Sequence, residues 1–349
     1  MARRLRLTKF RELSLDDPFF DSLKAGYGGF PEWFTSKADE DLYVVDDDGK
    51  LSGMIYLKRE AGPIADVTPP LPAGTWLKVS TLKIEGKGTK LGERVLKKIF
   101  DAALAEGADG IYVTVFSVHK KLIELFKRYG FTECAFKETE DGTELVLARS
   151  LRDMTGDLVA DYPFIHTAGQ KAWLLAVYPE YHSRLLPDSI LNNEPREIIQ
   201  DVSHTNTIHK IYIGKLALTR MSPGDAVILY RTTDRQGHAY YRSVVTSVCV
   251  VEEVRTKRNF ADVDAFVEYC RQHSVFSEDE LREQFLTSPR LYLIKMTYNA
   301  AFGKRLTRGA LLDAGLVSEQ PRWDLRSLSQ RQLRDILGMG NVNARLIVD

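Results

Sequence analysis

Cysteine is scarce. Three occur in 349 residues, Cys134, Cys249 and Cys270, far apart and without paired spacing, which excludes a disulfide framework and a Cys/His zinc pattern and leaves three thiols expected to be buried. Net charge is also missing, because 48 Lys and Arg cancel 48 Asp and Glu. Bulk basicity therefore gives no argument for nucleic acid, and such a partner needs a local patch. No apolar run approaches the roughly 20 residues of a bilayer-spanning helix, and the opening MARRLRLTKF lacks the apolar stretch of a secretory signal. A cytoplasmic protein without a membrane partner is expected. Neither Gly-x-Ser-x-Gly nor His-Glu-x-x-His occurs, so two hydrolase chemistries have no motif here and no metal site is expected. What is present is ordinary for a globular chain, 44% apolar and 28% charged. The length exceeds the roughly 250 to 300 residues at which one core stops growing, so two domains are expected.

The first half alternates strand and helix patterns. Leu42–Val45 and Met54–Leu57 flank the acidic turn Asp46-Asp47-Asp48-Gly49-Lys50 and read as a hairpin. Trp76 to Ile84 alternates apolar and polar residues as a half-wetted strand does. Gly86, Gly88 and Gly92 follow, and Leu91, Val95, Leu96, Ile99 and Phe100 then recur at helical spacing. A strand, a glycine-rich turn and a helix form a unit with a physical use: the unpartnered N–H groups and positive dipole end of the first helical turn attract an anion, and glycines let it come close. Lys87 and Lys90 add charge, so a pyrophosphate suits the turn, although the same glycines also serve a tight turn alone. A second β-rich run, Gly110–Phe116, leads to an amphipathic helix from His119 to Tyr129 that closes at Gly130-Phe131, and Glu144–Ala148 ends the domain.

In this order the segments resemble the GCN5-related N-acetyltransferase (GNAT) superfamily over roughly residues 5 to 150. That resemblance implies an α/β fold, a mixed central sheet flanked by helices, and acetyl-CoA as co-substrate without a metal. Lys87-Gly88-Thr89-Lys90-Leu91-Gly92 stands in place of the family's Arg/Gln-x-x-Gly-x-Gly/Ala loop, with Lys87 for Arg or Gln and Lys90 for the first glycine. The implied cofactor contacts are Leu82, Lys83 and Ile84 along the strand, Lys87, Gly88, Thr89, Lys90, Leu91 and Gly92 in the loop, and His119 and Phe126 beyond it. His119 either contacts the cofactor or caps its helix. Phe126 occupies the position of the tyrosine that often protonates the departing thiolate, and Tyr129 lies on another helix face. A thiolate with an ordinary pKa near 8.5 leaves tolerably without that help. Glu85 is the candidate base, with bound water as the default, and Ser80 and Lys78 are candidates to polarise the acyl carbonyl or that water.

The second half turns β-rich after an interruption at Asp153–Asp157 and Asp161-Tyr162-Pro163. The expected division is an acetyltransferase domain over 1–152, a linker over 153–168, a second domain over 169–340 and a mobile tail over 341–349. Strands are expected at Lys171–Tyr178, Ile211–Leu218, Ala226–Tyr230, Ala239–Val251 and Leu291–Met296, with helices near Asp262–His273, after Ser277, and over Arg326–Leu337. A small α+β barrel accounts for these. Between His204 and Arg258 nine Lys or Arg face four acids, interleaved with Tyr212, Tyr230, Tyr240 and Tyr241. Phosphate-plus-base recognition needs such a mix, and a solvated barrel surface also shows it.

The Ser222-Pro223-Gly224-Asp225 turn before Ala226–Arg231, followed by Ser243–Val248, is similar to the PUA-like superfamily with its ASCH and EVE modules. The resemblance implies a nucleic-acid-binding β-barrel, with RNA slightly favoured over DNA and His182, Asn206, Lys210, Arg231 and Arg242 as groove candidates. His182 also reads as a helix cap. Together the two resemblances imply acetyl transfer to an amine of a nucleobase or of an aminoacyl-tRNA, and toxin-like growth inhibition is one role this allows. The alternatives are a non-catalytic reader of modified nucleic acid on a degenerate acetyltransferase scaffold, or an acetyltransferase of a protein or small-molecule amine.

Overall fold

The computed structural model describes residues 4–47, 50–85, 90–186, 207–320 and 322–349. They form two compact units, 1–161 and 162–349. In the first, β1 (Arg4–Lys9) precedes helices α1 (Asp21–Gly26) and α2 (Phe30–Ser36). Next come β2 (Asp41–Asp47), β3 (Lys50–Ala61), β4 (Thr75–Ile84), α3 (Leu91–Ala105) and β5 (Gly110–Phe116). The unit ends with α4 (Lys120–Arg128), β6 (Thr132–Thr139) and β7 (Gly142–Ser150). The strands make one seven-stranded sheet, β1-β2-β3-β4-β5-β7-β6, in which β4 and β5 pair in parallel and the other neighbours are antiparallel.

Burial explains the elements. In β3 every residue from Leu51 to Tyr56 is buried, and in α3 the apolar stripe Leu91, Val95, Leu96, Ile99 and Phe100 is buried throughout. Six- and seven-residue helices such as α1 and α2 are marginal alone. Here an aromatic cluster of Phe10, Phe19, Phe20, Phe30 and Phe34 holds them against Tyr56, with edge-to-face pairs such as Phe10–Phe34 at 5.1 Å and 82°. β6 escapes sequence reading because most of it is polar and exposed, Ala135 being its buried residue. Cys134 on that strand is exposed, against the expectation of a buried thiol, while Cys249 and Cys270 are buried and burial pushes both thiols up to about 12.

The second unit runs β8 (Ile165–His166), β9 (Ala172–Val177), α5 (Pro179–Leu185), β10 (His209–Gly214) and β11 (Ala226–Arg231). It continues through α6 (Ala239–Arg242), β12 (Val244–Thr256), α7 (Val263–Cys270), α8 (Glu278–Thr287) and β13 (Tyr292–Thr307). α9 (Arg308–Asp313), β14 (Leu325–Leu328), α10 (Gln330–Met339) and β15 (Ile347–Val348) complete it. Six strands form one sheet, β10-β13-β12-β11-β9-β14. Among the described residues its outer strands β10 and β14 do not pair, so the sheet is open and the expected barrel is not closed. Three register shifts between β12 and β13 bend these long strands without completing a cylinder.

Three further expectations change. Ala239–Arg242 is helical rather than extended, because the His238 ring accepts the Tyr240 N–H and starts a turn. Arg326–Leu337 is not one helix: Leu325–Leu328 is the edge strand β14, and Ser329 with Gln332 forms the capping box that starts α10. The tail is not loose, since Ile347–Val348 pairs in parallel with Ile165–His166. The Ser222–Asp225 turn is fixed by a buried carboxylate: Asp225 accepts from Trp173 Nε1 at 2.8 Å, from the Ser222 N–H at 2.9 Å and from the Lys171 N–H at 3.1 Å. Among the described residues no helix is long and apolar enough to cross a membrane, and no group of three His, Cys, Asp or Glu could hold a metal ion.

Candidate active site

The centre of the first unit is where β4 and β5 part. They pair from Trp76↔Gly110 to Val79↔Val113, yet both run on, to Ile84 and Phe116. β4 stays bonded to β3 on its other side, so from Ser80 to Ile84 one edge of β4 has no strand partner among the described residues. The opening begins at a bulge: the β3–β4 register shifts between Tyr56↔Thr81 and Leu57↔Val79, leaving Ser80 as the extra residue. A bulge bends its strand and raises the local twist, which steers β4 away from β5.

Leu82, Lys83 and Ile84 lie along that unpaired stretch, and Lys90, Leu91 and Gly92 at the start of α3. Lys87, Gly88 and Thr89 lie outside the described residues. Lys90 has φ +51°, the left-handed region that favours glycine. The lysine standing where the resemblance implies a loop glycine thus keeps a glycine-like backbone. Gly92 has a packing duty as well, because a Cβ there would meet Leu125 Cδ2 at 2.8 Å. Lys83 is committed: its ammonium donates to the Phe19 carbonyl and to Ser22 Oγ at 2.6 Å, and pairs with Glu85 at 2.9 Å. Glu85, the candidate base, is therefore an ion-paired carboxylate whose own N–H bonds the Ser52 carbonyl at 2.8 Å.

His119 is the N-cap residue of α4, its carbonyl accepting from the Leu122 and Ile123 N–H groups, while its side chain makes no cap bond. Phe126 is fully buried, its ring 4.8 Å from that of Phe131. Tyr129 is fully buried too and supplies no hydroxyl at a surface.

Lys78, two residues before the bulge, belongs to a cluster whose other members sequence reasoning missed. Register places Lys58 and Tyr112 opposite Lys78 on β3 and β5. The Glu60 carboxylate accepts from the Tyr112 hydroxyl and pairs with Lys58 at 3.0 Å, while Lys78 stands 3.9 Å away and 5.4 Å over the Tyr112 ring. Burial pushes the Glu60 pKa up, but the hydrogen bonds from Tyr112 and Lys58 and the charges of Lys78 and Lys58 outweigh it, and the net shift is downward. Burial lowers the Lys78 ammonium and, with the bond to Glu60, raises the Tyr112 phenol. The fold thus sets an ionised carboxylate between two ammonium groups. The signal was present: the charged run Lys58-Arg59-Glu60 interrupts an apolar strand, and antiparallel pairing carries it back to Lys78.

In the second unit the groove candidates do not converge. His182, Lys210 and Arg231 are interior, at 0%, 1% and 4% exposure, and a side chain without surface cannot reach a macromolecule. His182 Nε2 meets Thr246 Oγ1 at 2.7 Å; burial, then the charges of Arg231 and Arg305, pull its pKa down to about 3. His182 lies within α5 and not at its start, so it is no N-cap. Arg242 is clamped on Asp234, Nε to Oδ1 at 2.7 Å, and Asn206 lies outside the described residues. Much of the basic surplus is spent internally, as Arg255 pairs with Glu253 at 2.6 Å and Lys257 donates to the Phe285 and Ser288 carbonyls.

Residues 7–131 match the family model described as the acetyltransferase (GNAT) family. No curated protein matches the chain. Similar solved structures include a mutant of ZmASCH from Zymomonas mobilis, with 12% identity over 49% of this chain and 96% of that one and a TM-score of 0.34. A putative phosphinothricin N-acetyltransferase is similar at 22% identity over 43% of this chain and 98% of its own, TM-score 0.33. An N-acetyltransferase from Staphylococcus aureus Mu50 is similar at 12% identity over 43% and 99%, TM-score 0.33.

Proposed function

We propose that the chain, whose residues 7–131 match the acetyltransferase (GNAT) family model, is an acyltransferase that transfers an acetyl group from acetyl-CoA to an amine of a nucleic acid, on a nucleobase or on the aminoacyl group of a charged tRNA, bound with help from the second unit. One observation carries the acyl-transfer half: the backbone edge of β4 from Ser80 to Ile84 that faces no strand among the described residues once β5 has splayed away. Peptide groups on such an edge suit an extended amide-bearing chain, and the start of α3 suits its phosphates. Acetyl-CoA supplies the activated acetyl group. The chain's own contribution is placement of the amine. Glu60, held ionised, offers the incoming amine a hydrogen-bond-accepting carboxylate, and its bonds to Tyr112 and Lys58 make it a poorer proton acceptor than an ordinary carboxylate. No tyrosine on α4 offers a proton, so the thiol leaves as the thiolate. For the nucleic-acid half the support is the aromatic and basic residues of the second unit that stay exposed, Tyr178, Lys215, Tyr241 and Arg322.

The test is incubation of the whole chain with labelled acetyl-CoA and total cellular RNA, DNA and protein. Label in RNA or DNA supports the acceptor class, RNA being the first expectation. Label in protein alone removes it. A second reading, a non-catalytic reader, is favoured by the buried Phe126; it predicts no label in any fraction and no calorimetric binding of acetyl-CoA.

A further inference from the structure

The second unit contains a cavity of about 680 Å³, within the range of small-ligand sites. None of the described groove candidates, His182, Lys210, Arg231 and Arg242, lines it. Its walls are aromatic: Tyr230 and Trp323 form one pair with centroids 5.1 Å apart, Tyr181 and Phe276 another at 5.3 Å, and Tyr178, 63% exposed, lines it as well. Gly214 admits a further ring, since a Cβ there would come within 2.8 Å of Tyr212.

Charge and polarity narrow the occupant. Lys215, Arg308 and Arg322 line the cavity against one carboxylate, Asp324. Arg308 is held by Glu319 at 2.5 Å and lies 4.6 Å over the Trp323 ring, whereas Lys215 and Arg322 are exposed. Two lining residues carry buried polar atoms without a hydrogen-bond partner among the described residues, Trp323 Nε1 and Thr232 Oγ1, and such atoms favour a guest with a hydrogen-bonding edge. A quaternary ammonium suits aromatic walls but is repelled by the exposed Lys215 and Arg322. A simple anion gains nothing from the rings. A planar, hydrogen-bonding, anionic guest satisfies all three features.

We propose that this cavity takes one unpaired nucleotide, the base among the rings and the phosphate toward Lys215 and Arg322. The proposal deepens the nucleic-acid reading above and rests on it for the polymer source alone, since a free nucleotide offers the same chemistry. A base inside a duplex stack cannot enter.

The test is titration of the full chain, without acetyl-CoA and at low salt, with adenosine and uridine monophosphates, a short single-stranded RNA and a blunt duplex. Saturable binding of the mononucleotides and the single strand, with the duplex failing to compete, is expected. Mononucleotide binding alone keeps the pocket and points to a free nucleotide. Trp323 is buried and its removal endangers folding, so the variants are Tyr178→Ala and Arg322→Ala at exposed positions, each expected to weaken binding about tenfold, with Thr232→Val as a third. No binding, duplex binding equal to single-strand binding, or affinities unchanged in Tyr178→Ala and Arg322→Ala would overturn the proposal. Because no acetyl group is involved, failure here and failure of the transferase reading are read separately.

Discussion

Glu60 illustrates how a single residue acquires a role from its neighbours. A carboxylate taken partly out of water resists ionising, yet the Tyr112 hydroxyl and the Lys58 ammonium reverse that tendency. Replacement Glu60→Gln removes the charge and keeps the shape. Steady-state kinetics is expected to show the acceptor KM rising about tenfold or more, with acetyl-CoA affinity within about twofold of the parent; an unchanged acceptor KM would remove Glu60 from acceptor binding. Lys90 makes a backbone prediction. At φ +51° a β-branched side chain is more strained than an unbranched one, so Lys90→Val is expected to destabilise the first unit, whereas Lys90→Gly, which relieves a left-handed cost of about 1–2 kcal/mol, is neutral or stabilising. Urea denaturation compares them. The sequence alone singles out Lys90 as standing where a glycine is usual, because that is a question of identity. It does not single out Glu60, because that is a question of register between strands separated by a long loop.

At the scale of elements, legibility follows burial periodicity. β4, β5, α3 and α4 are readable because their apolar residues recur with the period of a strand or a helix. β6 is not, since its outward residues outnumber its buried ones, and α6 is not, since a four-residue helix has no period and depends on the His238 cap. The bulge at Ser80 leaves no trace in the alternation of side chains. α5 carries a pH prediction through His182. Its pKa is near 3 in the fold against an ordinary 6.5, so between those values the unfolded chain holds a proton the native state lacks. Stability of the second unit therefore rises with pH across that window and levels off above it, with a slope of up to about 1.4 kcal/mol per pH unit. Urea unfolding at pH 5 and pH 7 should show the difference, and His182→Gln should narrow it whatever its effect on the absolute level. β15 carries another. Removing residues 344–349 deletes its pairing with β8 and the Asp349 bonds to Thr167 and Arg334, and calorimetry should show a lower Tm for the second unit. An unchanged Tm would return these residues to the status of a loose tail.

For the whole molecule, the two units have their own sheets and their own apolar clusters. Residues 1–161 produced alone are accordingly expected to fold and to bind acetyl-CoA about as tightly as the full chain, checked by circular dichroism and calorimetry. Two-domain organisation is legible from length and from the change of pattern near residue 153. The open form of the second sheet is not, because whether β10 meets β14 depends on accumulated twist and bulges and not on any one strand's composition. The first unit's opening between β4 and β5 has a consequence for how it can be probed. What it offers a guest is peptide groups, and every residue type but proline presents the same ones. Alanine scanning of Leu82–Ile84 would pass over this surface in silence, and evolutionary drift in those side chains would leave it intact. Amide-to-ester replacement, which deletes one N–H at a time, is the operation to which it would answer.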